Sequence, residues 1–261
     1  MASMTVNAVE TARQVRRARL AGIIGLTPLP VMIVVCALGH FPYPNDNLNG
    51  RKFLDYGLPH RTFEIQGLLW IVVAVATLGF ILLLAAIHAS RSGGMNATGL
   101  VMAGCADAYA SATLGALGMY LAIALLARGY PGFTGDRVEL LIVTWAWDTS
   151  QAIFLIATVF LVPAFVMIFT ARSLDTVLTR NLRRAAIVVA VPNMACFVST
   201  FIDYGPLSPA SVWSYMPAGV VTYGWMAAAS FALLRTKSAP DILATPVAEL
   251  DTEQPASGQD L

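Results

Sequence analysis

Apolar residues fall in six long blocks separated by polar or charged connections: Ala21–Gly39, Ile65–Ile87, Gly99–Ala127, Leu140–Phe169, Ala185–Ile202 and Trp213–Leu234. Each block is near or above the ~20 residues that a helix needs to cross a ~30 Å hydrocarbon core. Blocks of this length, joined by short connections, predict an all-α polytopic membrane helix bundle with about six transmembrane helices. Residues 1–19 then form a basic N-terminal segment, 20–235 the membrane domain and 236–261 an acidic tail. The tail carries Asp241, Glu249, Asp251, Glu253 and Asp260 with few apolar residues, and such a composition predicts disorder.

Composition sharpens this picture. Hydrophobic residues make up 57% of the chain and charged residues 12%, about half the ~25% typical of globular domains. A net charge of +1 carries no signal for a nucleic-acid partner. Of the 16 Lys and Arg residues, 11 flank the N-terminal side of span one or its equivalents, and 5 flank the opposite side. The more basic side faces the cytoplasm, so both termini are expected inside a plasma-membrane, multi-pass protein. A cleaved signal peptide is the competitor, with Ala37-Leu38-Gly39 as its processing site. The apolar run Leu20–Leu38 exceeds the ~7–15 residues that such a segment uses.

Cys36, Cys105 and Cys196 lie in separate predicted spans, with neither a disulfide nor a zinc spacing, and read as small packing residues. His40 and His60 fall outside the spans and His88 at the inner end of span two, so no histidine pair is set to ligate haem or a metal. No cofactor is expected. Nor is there a phosphate-binding glycine loop or a Ser/His/Asp set in a cytoplasmic segment of useful size.

What remains is polarity inside the spans. Asp148 stands in Trp145-Ala146-Trp147-Asp148-Thr149-Ser150-Gln151 on span four, and a carboxylate at membrane depth costs several kcal/mol unless paired, hydrated or protonated. Thr144, Asp148 and Gln151 share one helical face. Span five carries Asn193, Cys196, Thr200 and Asp203 along one stripe, beside Pro192 and the carbonyl it leaves without a donor. Span two opens with His60, Arg61 and Glu64, where an Arg61–Glu64 ion pair competes with a charged rim to a site. On span three, Gly104, Asp107, Ser111, Gly115 and Gly118 share one side, the small-residue pattern of close helix approach, and Asp107 is expected on that packed face. Two registers of the span three–four hairpin leave Asp107 and Asp148 either ~5 Å or ~17 Å apart in depth. The first outer loop, His40–Thr62, is long enough to fold over the bundle mouth.

These positions predict an outward-opening intramembrane pocket that binds or transports a small or lipophilic ligand. Its expected lining is Asp148, Gln151, Asn193 and Thr200 with Glu64 and Asp203, Trp145, Trp147 and Tyr223 as aromatic walls, and Asp107 as a further ligand contact. The competing reading of each group is packing glue between helices, at about 0.6 kcal/mol apiece. Two further classes stay open. One is an intramembrane enzyme of cyclase or isomerase type on a lipid or isoprenoid, with Asp148, Glu64 or Asp203 as general acid. The other is a regulatory or immunity subunit whose polar helices pair with a membrane-protein partner or with a second copy.

The opening Arg16-Arg17-Ala18-Arg19-Leu20-Ala21-Gly22-Ile23-Ile24 resembles the start of a family of uncharacterised six-span bacterial membrane proteins. Members have a basic first helix containing Leu-Ala-Gly-Ile and a long first outer loop. The polar fourth helix and Asp203 before a proline-containing loop are similar too. The likeness would extend over Arg16–Leu234, and it implies architecture without a reaction or a site. His60-Arg61 departs from the apolar-Arg start that family would lead one to expect in its second helix.

Overall fold

A computed structural model describes residues 2–38, 61–129, 136–202 and 212–236. Asp203, His40, His60, most of the first outer loop and the acidic tail lie outside the described residues. Every regular element described is helical: α1 (Ala2–Leu26), α2 (Pro28–Ala37), α3 (Thr62–Arg91), α4 (Ala97–Gly129), α5 (Arg137–Ala157), α6 (Leu161–Thr170), α7 (Arg180–Ser199) and α8 (Val212–Leu234). Taken as continuous spans, six of these are long and apolar enough to cross a membrane. They coincide with the six apolar blocks to within a few residues, except that the first span begins at Thr11, within a helix that starts at Ala2.

Prolines set the interruptions. Pro28 and Pro30 lack the N–H that would continue the helical ladder, and the first span breaks at Thr27 into α1 and α2. The fourth span tightens into a 3-10 turn at Thr158–Phe160 just ahead of Pro163, then resumes as α6. Pro192 instead lies within a continuous α7. Beside it, the Asn193 side-chain amide donates to the Val189 carbonyl at 2.8 Å, one residue from the carbonyl that Pro192 leaves free.

The ends are distinct. At one end, here called the turn end, Gly93 and Gly94 take φ +79 and +148 and reverse the chain between α3 and α4, conformations that suit glycine. Asn96 Oδ1 accepts from the Gly99 N–H at 3.0 Å and caps α4. The opposite, far end holds the start of α5, where Asp136 and Glu139 form a reciprocal capping box. It also holds Glu64, which pairs with Arg128 at 3.0 Å, and not with Arg61 as the one-turn spacing suggested. Arg61 sits in the left-handed region (φ 53) at the head of α3, outside the helical geometry that would stack it over Glu64.

The core fills the turn-end half. Phe80, Phe165 and Trp225 meet edge-to-face, with centroids 6.2 Å and 5.2 Å from Trp225, and the indole N–H donates to the Leu182 carbonyl at 2.9 Å. α1 reaches this cluster because Gly25 has no side chain: a Cβ there would come within 2.3 Å of both the Phe80 ring and Ser230 Oγ.

The small-residue stripe of span three corrects an expectation. Gly104, Asp107, Ser111, Gly115 and Gly118 are all exposed, and a Cβ added at Gly104, Gly115 or Gly118 would meet nothing within 4 Å. α4 packs through the opposite face, where Met102, Ala106, Tyr109, Thr113 and Ala116 are buried. The larger buried side chains claim the bundle, and the glycine stripe is turned away from it. Val143, Ala146 and Trp147 cluster with Ile123 and Ala124. That register puts Asp148 at the opposite end of α4 from Asp107, the wider of the two separations.

Candidate functional site

Between the helices lies a cavity of about 110 Å³ to which all six spans contribute. Each helix brings one stripe to it. α8 supplies Tyr215, Met216, Gly219, Thr222 and Tyr223, spaced i, i+1, i+4, i+7 and i+8, which is one face of a helix. Ser150, Gln151, Phe154, Leu155 and Thr158, spaced i, i+1, i+4, i+5 and i+8, likewise share one face of the fourth span.

The cavity is elongated. The α3–α4 hairpin reverses near Gly94, so Gln66 lies 28 residues up one arm and Tyr109 only 15 up the other; the difference of 13 residues is about 20 Å of depth. Gln66, Gly67 and Cys36 stand toward the far end. Trp70 and Phe154 meet below them edge-to-face at 5.0 Å, joining α3 to α5. The floor is polar. Tyr109 and Tyr223 share a hydrogen bond between their hydroxyls at 3.2 Å, and the Asn193 amide donates to Thr222 Oγ1 at 2.8 Å. Thr158 donates to the carbonyls of Leu155 and Asn193, tying the 3-10 turn to α7.

These groups are deeply buried: Gln66, Asn193 and Thr222 are each 1% exposed and Tyr109 2%. Among the described residues no charged side chain lines the cavity. A site of this kind favours uncharged molecules, because an ion brought there would lose its hydration without gaining a counter-charge. Among the described residues, no cluster of three or more His, Cys, Asp or Glu side chains could hold a metal ion.

Gln66 carries an open bonding position. Its Nε2 donates to the Val35 carbonyl at 3.3 Å, and its Oε1 is buried with no hydrogen-bond partner among the described residues. The carbonyl of Val35 needs a donor, and this fixes which end of the amide faces it. The remaining atom, an acceptor, is therefore the unpaired one.

Of the residues singled out from sequence, Gln151, Asn193 and Tyr223 line this cavity. Asp148 does not: it is half-buried, about 60° round α5 from Gln151. Trp147 is buried against α4, and Trp145 is 66% exposed on the outside of the bundle. Thr200 donates to the Phe197 carbonyl on its own helix. Glu64 is engaged with Arg128 above the cavity, Asp107 is on the outward stripe, and Asp203 lies outside the described residues.

Sequence reasoning weighted charge and so passed over Gln66, Tyr109, Ser150, Thr158 and Thr222. One signal was available for Gln66: it is the sole amide in the apolar run from Ile65 to Ile87. Tyr109 had none, since it stands two residues from Asp107 on the opposite side of its helix. No protein-family model, curated protein or solved structure matches the chain.

Proposed function

We propose that this chain is an integral membrane protein that binds, and in its cellular setting transports or presents, an uncharged small or lipophilic ligand in the cavity between its six spans. The observation that carries this reading is the cavity itself. Close packing is the rule in helix bundles, yet here all six spans leave space around a partly unsatisfied polar lining. Ligand pockets are of this make: mostly apolar and aromatic walls with a few placed polar groups, between helices. The excess of Lys and Arg on the turn-end side supports a cytoplasmic turn end and a cavity mouth facing outward from a plasma membrane. Membership of the six-span family suggested by Arg16–Ile24 is part of the same proposal.

Acid catalysis is less well supported. It asks for a carboxylate on the cavity wall, and among the described residues neither Glu64 nor Asp148 is on it. A partner-subunit role finds support in the outward stripe on α4, where small residues offer a surface for another helix.

The test is native mass spectrometry with lipid extraction of the gently solubilised protein, comparing wild type with Ala116→Leu and Asp148→Asn. Ala116 is 2% exposed and lines the cavity, so leucine fills it. The expected result is a stoichiometric small molecule on wild type and Asp148→Asn that is lost from Ala116→Leu, with melting preserved in all three. An empty wild type, or equal loading of the filled variant, overturns the cavity reading. The same spectra give the mass of the assembly, and a monomer bearing no other chain retires the partner-subunit role.

A further inference from the structure

The unpaired Gln66 acceptor narrows the ligand, on the premise that the cavity is a ligand site. We infer that the ligand is a slender lipophile headed by an uncharged hydrogen-bond donor, a hydroxyl or amide N–H, which Gln66 Oε1 receives. Three observations converge.

First, Oε1 can only accept, and it is buried without a partner among the described residues while the same side chain's nitrogen is already used on Val35. A buried acceptor of this kind is costly to leave unmade, so a molecule that supplies a donor gains most at this atom. A carboxylate or an ether brings no proton and gains nothing there.

Second, no charged side chain lines the cavity among the described residues. An ammonium group would bring a proton but would be stranded without a counter-charge, which selects against cationic donors.

Third, the shape fits one chain and not two. About 110 Å³ is spread over the roughly 20 Å between the levels of Gln66 and Tyr109. Averaged over that length the space is about one chain wide, and Trp70 with Phe154 stands on its wall one helical turn below Gln66. Gln66 receives the head near the far end. The apolar body descends past Trp70, Phe154 and Leu155 toward the Tyr109–Tyr223 pair.

The test uses the full-length protein in phosphatidylcholine nanodiscs and a diazirine-bearing hexadecanol as the photoprobe. Labelled peptides are mapped, and the probe is competed with hexadecanol, hexadecyl methyl ether, hexadecanoate and hexadecylammonium. The expected result is labelling on cavity-lining segments, with hexadecanol competing about tenfold better than the ether, the equivalent of one net hydrogen bond. Both ions compete more weakly than the alcohol. Gln66→Met, similar in shape but without the acceptor, brings alcohol and ether to within about twofold.

Equal competition by alcohol and ether on wild type overturns this inference and leaves the ligand-site reading standing, since both then occupy the cavity. Stronger competition by either ion also overturns it. Absence of cavity labelling overturns it as well, and the extraction experiment then decides the ligand-site reading separately. The wild-type comparisons are complete without the variant, so a misfolded Gln66→Met does not remove the test.

Discussion

The two halves of this bundle handle polar groups in opposite ways. At the turn end, Arg183 and His88 are spent on fastening neighbouring segments. Arg183, 7% exposed at its side chain, pairs with Asp175 at 2.5 Å and also donates to the Phe169 carbonyl, fastening α7 to the segment after α6. His88 bonds Ser173 at 2.5 Å and Asn96 at 2.9 Å, and so ties the end of α3 to both the α4 cap and the 3-10 turn at Arg172–Thr176. Toward the far end the polar groups converge on open space, and Gln66 keeps an acceptor unused. The cavity wall is neutral among the described residues, while the ion pairs, Arg183–Asp175 at one end and Glu64–Arg128 at the other, stand off it. Charge inside this fold marks fastening, and neutral polarity marks recognition.

The largest effect should come from breaking the closed half. Arg183→Ala removes a buried cation from an exposed Asp175 and leaves the Phe169 carbonyl without its donor. A loss of about 2–4 kcal/mol is expected from these charge-assisted bonds, seen as a lower melting temperature in detergent. A variant that melts with wild type would show that the turn end is not the rigid half. His88→Ala should cost less, about 1–3 kcal/mol, because Asn96 still caps α4 through Gly99. His88→Gln should recover part of that loss by restoring one of the two bonds. If histidine and alanine are equivalent here, the tie between the three segments carries no weight.

The contrast also accounts for what could be read in advance. The fold was legible because twenty-residue apolar blocks admit few alternatives: a helix is the structure that satisfies its own backbone in a hydrocarbon setting. Pro192 stood out within its apolar block, yet it lies inside a continuous helix, whereas the α-helix breaks at Pro28 and just ahead of Pro163. The site was less legible, for a physical reason. In-span carboxylates are the most expensive residues and so the loudest in sequence, yet cost alone does not say which way a side chain points. Asp107 and Gly104 share a stripe that periodicity found correctly, but the direction of that stripe depends on which face of α4 carries the bulkier packing residues. Asp148 and Gln151 are separated by about 60° of rotation, too little to distinguish by pattern and enough to decide which one meets the cavity.

A third, smaller effect probes accessibility across the two halves. Cys36 is exposed at the far end of the cavity, whereas Cys196 lines it deeper and is fully buried. A membrane-permeant maleimide should modify Cys36 at least tenfold faster than Cys196, as read by intact mass after Cys36→Ser and Cys196→Ser substitutions. Saturating hexadecanol should slow the Cys36 reaction in wild type and leave Cys105, which is outside the cavity lining, unchanged. Equal rates at Cys36 and Cys196 would mean that the cavity is as open at its floor as at its mouth.

The smallest effect is expected at the residue that sequence alone would place at the centre. Asp148→Asn keeps shape and hydrogen-bonding capacity and removes a charge from a half-buried position that does not line the cavity. Ligand loading should stay within about twofold of wild type, and stability within roughly 1 kcal/mol, the range of polar substitutions between membrane helices. Gln151→Leu, one turn away but on the cavity wall, should change ligand retention more than Asp148→Asn does. The pair separates azimuth from charge, since the two positions stand at nearly the same depth. Should Asp148→Asn empty the cavity while Gln151→Leu keeps it filled, charge would outrank position. The division between charged groups that fasten and a neutral cavity that receives would then fail at its most exposed point.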